Sequence, residues 1–278
     1  MSTFPTRGVV FGLVPQCDDT ATRQRLNDVC TRLGERTGLA VIPHRAPSPD
    51  ALANAWRAGR IQVAWIGAAQ LVLSDALQSA IPILCSVREG AAWYHAVLFT
   101  VPTSGIKTLD DVRHKRVAWV AASSASGCIV PRLSLARRGV ALGAAFAEEM
   151  FVGSHSAVAR AVFDGRADVG GTYAIFENAD ARGKLVRSGF LESDPARRVV
   201  TLDVAGPIPG DLIIVAASVP NDVRRSITRA LHLMGQVPAD RQIVRSLIGA
   251  DSFTDITSAA REELHALVDE GRRRGLLG

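Results

Sequence analysis

Short apolar runs alternate with helix-length amphipathic segments along most of this chain, and that alternation limits the fold more than any other feature. Residues 8–14, GVVFGLV, read as a buried strand. Asp18, Asp19 or Thr20 then caps a helix. Its Leu26, Val29, Cys30 and Leu33 recur at the spacing of one helical face, and Gly38 ends it. Leu39 to Pro43 is a second strand, and Ser48-Pro49 starts a second helix, with Leu52 and Trp56 facing inward and Gly59 closing it. Ile61 to Ile66 is a third strand ending at Gly67, followed by a helix through Leu71, Val72 and Leu77. Ile81 to Val87 and Tyr94 to Val101 complete five strands. Strands separated by helices predict an α/β fold with a largely parallel sheet.

Near Pro102 the pattern restarts. Thr108 to Asp111 resembles a capping box before a short helix, with Asp111 in the usual Glu/Gln place. Then comes Val117 to Arg138, VAWVAASSASGCIVPRLSLARR: a strand, a run of small hydroxyl residues, and a helix start. Phe146 to Val152 reads as a strand, Gly153 to Ser156 opens another helix, and Ala167 to Gly171 is a strand rich in small residues. Val199 to Val204 is a further strand, 206–211 (GPIPGD) a turn-rich crossover, and Leu212 to Ala216 a strand. Three amphipathic helices, starting near Pro220, Asp240 and Thr257, finish the chain. This order predicts a discontinuous first lobe, 1–101 plus 212–278, and a second lobe, 102–211, inserted into it. Two crossings would form the hinge, and a ligand would sit between the lobes. Ligands of open α/β sheets lie beyond the carboxyl ends of strands. Those ends carry Gln16, Gly67, Ser123 to Gly127 and Tyr173.

A length of 278 residues suits about two domains. The formal net charge of +5 is spread over scattered arginines, with one dense run at Arg272 to Arg274, the end of the expected last helix. No basic stripe interleaved with aromatics is present, which argues for small anions and against nucleic acid. Cys17, Cys30, Cys85 and Cys128 show neither C-x-x-C nor His-interleaved spacing, so no metal or other cofactor is expected. No apolar run approaches the ~20 residues that span a bilayer. Met1 to Gly8 does not read as a secretory leader, which places the chain as written in the cytoplasm. A leader trimmed from the sequence would leave the same picture.

The Ser123 to Gly127 turn has a chemical meaning of its own. N–H groups at a helix N-terminus lack helical partners, and the helix dipole puts partial positive charge there. A strand feeding such a turn is an anion cradle. A plain Ser N-cap is the alternative that the residues alone leave open.

The stretches GRIQVAWIGAAQLVL, TSGIKTLDDVRHKRVAWV, SSASGCIVPRLSL, GSHSAVARAVFDGRADVGG and GPIPGDLIIV together resemble the solute-binding proteins of ABC importers for phosphonate, phosphite and phosphate. These have the type II periplasmic-binding-protein fold. The resemblance implies a non-enzymatic, two-lobed clamp over a small tetrahedral oxyanion, a permease as partner, and a periplasmic location if a leader was removed. It places the phosphoryl-binding helix start on Ser124, Ala125, Ser126 and Gly127, a second helix-start contact on His155, and an aromatic donor on Tyr94. Taken without it, a lone His at a helix start is more often solvated, and Tyr94 beside Trp93 could be core.

This chain departs from the pattern in two places. Ala125 stands where many relatives have Thr, and Thr172 and Tyr173 stand where aminophosphonate binders place acids. Asp211 is the one acid that the sequence puts near the expected site. Two other readings remain: a cytoplasmic ligand sensor, and an enzyme on the same fold using Ser124, Cys128 and His155. The sequence offers no G-x-S-x-G elbow and no identifiable acid to orient the histidine.

Overall fold

The computed structural model describes residues 8–15, 19–77, 79–178 and 181–256, together with Glu262, Ala266, Asp269, Glu270 and Arg273. Gln16, Cys17, Asp18, most of the helix expected from Thr257 and most of the Arg272 to Arg274 run lie outside the described residues. The chain forms two compact units, Met1–Ala92 with Gly210–Arg261, and Trp93–Pro209 with Glu262–Gly278. The expected first lobe ran on to residue 101. The strand Trp93–Thr100 instead belongs to the second unit, because both of its hydrogen-bonded neighbours lie there.

The first unit contains β1 (Gly8–Leu13), α1 (Thr20–Thr37), β2 (Ala40–Arg45), α2 (Pro49–Arg57), β3 (Val63–Ile66), α3 (Ala68–Leu73) and β4 (Ile81–Val87). Its sheet runs β12-β4-β11-β3-β1-β2, where β11 is Leu212–Val215 and β12 is Ser252–Asp255. The caps follow the sequence. Asp19 accepts from the Thr22 N–H at 2.7 Å, Gly38 ends α1 in the left-handed region, and Ser48 caps α2 with Pro49 in the first turn. Leu26, Val29, Cys30 and Leu33 of α1 are buried against Val9, Phe11, Val63 and Ile213. The helices α7 (Asn221–Gln236) and α8 (Pro238–Ile248) add Ile227, Leu231, Met234 and Val244 to this core. Pro43 lies in β2, the edge strand, where a missing N–H is tolerated.

The second unit holds β5 (Trp93–Thr100), β6 (Arg116–Trp119), α4 (Val130–Arg137), β7 (Glu148–Phe151), α5 (His155–Phe163), β8 (Val169–Phe176), β9 (Leu185–Ser188), α6 (Gly189–Ser193) and β10 (Val200–Pro209). Its sheet runs β10-β5-β8-β6-β7, with β9 paired to β8. The expected parallel pairing is confined to part of each sheet: β1 with β2 and β3, and β6 with β7 and β8. The strands that return from the far end of the sequence or from the other unit run antiparallel.

Two other elements differ from the sequence reading. Of the crossover expected over 206–211, the passage between units falls after Pro209, and the segment 206–209 is strand. It continues β10 past a bulge between Ala205 and Ile208 and pairs with Tyr94 and Trp93. Thr172 and Tyr173 are not at a strand end but inside β8, which runs on to Phe176. They still lie beyond the end of the shorter β6, whose Ala118 pairs with Gly170.

The small residues of β8 have a packing role. A Cβ on Gly170 would come within 2.7 Å of Val158 and 2.9 Å of Phe99. A Cβ on Gly171 would come within 2.7 Å of the Trp119 ring and 3.2 Å of the Gly127 carbonyl. Bare backbone at these two positions lets α5 on one face, and the turn before α4 on the other, close onto the sheet.

Candidate functional site

The serine turn leaves β6 and enters the helix through a π-turn, Ala125–Ile129, that leads into α4. The first bonds are wide: Ile129 N–H donates to Ser124 C=O at 3.0 Å, and Val130 N–H to Ala125 C=O. The N–H groups of Ala125, Ser126, Gly127 and Cys128 therefore precede the first helical hydrogen bond. Gly127's goes to Ser124 Oγ at 3.2 Å. With its oxygen accepting from the backbone, Ser124 directs its own hydroxyl proton elsewhere, which suits a donor to an anion. Such π-turns recur at functional sites.

Residue 127 must be glycine for this geometry. A Cβ there would lie 2.4 Å from Val120 Cγ2, because the Val120 N–H donates to the Gly127 carbonyl at 3.1 Å and draws the turn onto the end of β6. Ser123 is exposed, Ser124 and Ala125 are half-buried, and Ser126 is buried. Tyr94 and Ala125 both pack against the small cluster of Ala96, Val130 and Ile208. The aromatic residue expected as a donor thus flanks the cradle.

The second helix start is next to the first. Gly153, just after β7, donates to Val120 C=O at 2.8 Å. Ser154 then caps α5 by accepting from the Ala157 N–H at 3.2 Å, and His155 is the first helical residue. The half-buried His155 places Nδ1 3.0 Å from Thr172 Oγ1, and its ring meets Tyr173 edge-on at 5.0 Å. Burial first, then Glu192, push the pKa of the Tyr173 hydroxyl well up.

Cys128 is 4% exposed, and burial pushes its thiol up to about 11. A buried thiol raised in this way is a poor nucleophile near neutral pH. Among the described residues no group of three His, Cys, Asp or Glu side chains could hold a metal ion.

Gly67 and Asp211 belong to the first unit and come together there. A Cβ on Gly67 would lie 3.8 Å from Asp211 Oδ1. Asp211 is paired with Arg88 at 2.5 Å. The same guanidinium donates to Ser86 Oγ at 3.2 Å and to the Ile248 carbonyl at 2.9 Å. Arg88, 123 residues away in sequence, gave no signal as a partner for Asp211. In the second unit, Asp168 takes three hydrogen bonds from Arg116, one from its backbone and two from its guanidinium.

Comparison with known proteins places this geometry in a family. A family model described as "ABC transporter, phosphonate, periplasmic substrate-binding protein" matches residues 11–260. A Xanthomonas citri protein solved with ATP bound superposes with a TM-score of 0.78 at 20% identity, covering 98% of this chain and 99% of that one. A binding-protein component of an ABC phosphonate transporter from Pseudomonas aeruginosa gives 0.73 at 18% identity, covering 97% and 88%. PhnD1 of Prochlorococcus marinus, in complex with methylphosphonate, gives 0.73 at 16% identity, covering 97% and 99%. These likenesses are of fold, the type II periplasmic-binding-protein architecture. With a family model spanning nearly the whole chain, the protein belongs to the periplasmic substrate-binding proteins of phosphonate ABC transporters.

Proposed function

We propose that this chain captures a small tetrahedral oxyanion, of the phosphonate, phosphite or phosphate class, and presents it to an ABC importer permease at the periplasmic face of a membrane. The observation that carries the reading is the π-turn of Ala125–Ile129, where backbone N–H groups and the Ser124 hydroxyl gather at a helix start with no carboxylate among residues 123–129. Neutral oriented donors hold a phosphoryl group without a counter-charge. Tyr94 and His155 supply further donors at the rim. Binding without chemistry is the simpler reading, since burial raises the pKa of the Cys128 thiol.

Ligand tails carrying an ammonium are disfavoured. An unpaired buried charge is costly, and Asp211 already has Arg88 as its partner. Methylphosphonate and phosphite are therefore better candidates than aminoethylphosphonate. Calorimetric titration of ligand-stripped protein with methylphosphonate, phosphite, phosphate and aminoethylphosphonate tests this. Binding of none of the four would overturn the proposal.

A further inference from the structure

We infer that Thr172 fixes the imidazole of His155 in its Nε2–H form, with α6 and Tyr173 as the backing that holds the pair in place. The inference rests on the reading of His155 as a donor to the anion.

Thr172 is fully buried, and its hydroxyl lies 3.0 Å from His155 Nδ1. A neutral imidazole has one donor and one acceptor nitrogen, and the hydrogen bond at one nitrogen sets the other. When Thr172 donates to Nδ1, the ring proton sits on Nε2, which can then donate to an anionic oxygen. The reverse arrangement would turn a lone pair toward that oxygen and repel it.

Two features hold the pair. Gly189 begins α6 directly against it: a Cβ there would lie 2.2 Å from Thr172 Oγ1 and 2.8 Å from His155 Cβ. Only a residue without a side chain leaves room for both groups. The Tyr173 ring then bounds the imidazole edge-on, at 85°. Besides burial, Glu192 of α6 and Arg187 of β9 bear electrostatically on the Tyr173 hydroxyl, Glu192 raising its pKa and Arg187 lowering it. Those two residues pair with each other, Arg187 Nε donating to Glu192 Oε1 at 2.6 Å. Thr172 and Gly189 are thus positioning residues, acting on binding through His155.

The test combines ring-nitrogen NMR of His155 with calorimetry using methylphosphonate, on wild type, Thr172→Val, Thr172→Ser and His155→Ala. The spectra are taken above the ordinary imidazole pKa range. Wild type should show the Nε2–H tautomer. Thr172→Val should lose that preference and bind on the order of ten-fold more weakly, as expected for a hydrogen bond made to a charged group. Thr172→Ser should restore both. An Nδ1–H tautomer in wild type overturns the inference without any variant, as does a Thr172→Val protein with unchanged tautomer or unchanged affinity. If His155→Ala binds methylphosphonate like wild type, it is the donor reading that fails, and the tautomer result stands apart from it.

Discussion

Ser124 has two parts in the proposed reading. Its oxygen caps the π-turn by accepting from the Gly127 N–H, and its proton would serve the ligand. Ser124→Ala should therefore cost fold stability of about 0.5–2 kcal/mol as a lost cap. It should also weaken methylphosphonate binding by roughly 1.5–3 kcal/mol as a lost donor to a charge. Thermal melts and calorimetry on one preparation separate the two, and wild-type affinity in the variant would remove Ser124 from the site. Gly127→Ala should cost about 1–3 kcal/mol by overpacking, since the added methyl meets Val120 at 2.4 Å. Val120→Ala in the same chain should recover part of that loss in the melt. Asp211 gives a third expectation at this scale. Because Arg88 already holds it, Asp211→Asn should leave the preference of methylphosphonate over aminoethylphosphonate unchanged. A large change in that ratio on calorimetry would show that the carboxylate faces the ligand after all.

Among the elements, β6 and β8 deliver the cradle and the His155 support, and Arg116 ties their entry ends together through Asp168. Hydrogen bonds from the Arg116 side chain, ahead of the other contributions, hold the Asp168 carboxyl below the usual carboxylate range. A carboxyl whose folded pKa lies below its unfolded value stabilises the fold above the unfolded pKa, and that contribution is lost as the pH falls through the folded one. Asp168→Asn should thus lower stability by about 1 kcal/mol near neutrality, a modest amount for a pair this open to solvent. The difference in melting temperature between wild type and variant should close in acid. A gap of constant size across the acid range would count against the pairing. Asp168 falls within the strand that the sequence predicts over Ala167 to Gly171, ahead of its end. Its partner, 52 residues away, is not legible in the sequence.

At the scale of the molecule, the chain crosses between its two units after Ala92 and again after Pro209. A clamp of the proposed kind closes on its ligand. Small-angle scattering should show a smaller radius of gyration when methylphosphonate is added, and an unchanged radius with binding shown by calorimetry would argue for a rigid receptor. Among the described residues no helix is long and apolar enough to cross a membrane.

The sequence by itself determined the elements whose causes are local. Asp19, Ser48 and Ser154 cap the helices they precede. The apolar stripe of α1 is buried as its spacing requires, and SSASG forms the helix start that its hydroxyl and glycine residues favour. The matching stretches, read together, carried the family. What depended on partners far along the chain was settled only in the tertiary structure. The strand Trp93–Thr100 goes to the second unit because β8 and β10 are its neighbours, and 206–209 stays extended because Tyr94 and Trp93 pair with it. Strand β12 joins an edge that no local signal marks. The arginine on Asp211 and the threonine on His155 likewise come from side chains that meet only on folding. Caps and amphipathic stripes are encoded within a few turns of chain, whereas pairing and charge compensation are fixed by whichever residues the packed core brings together.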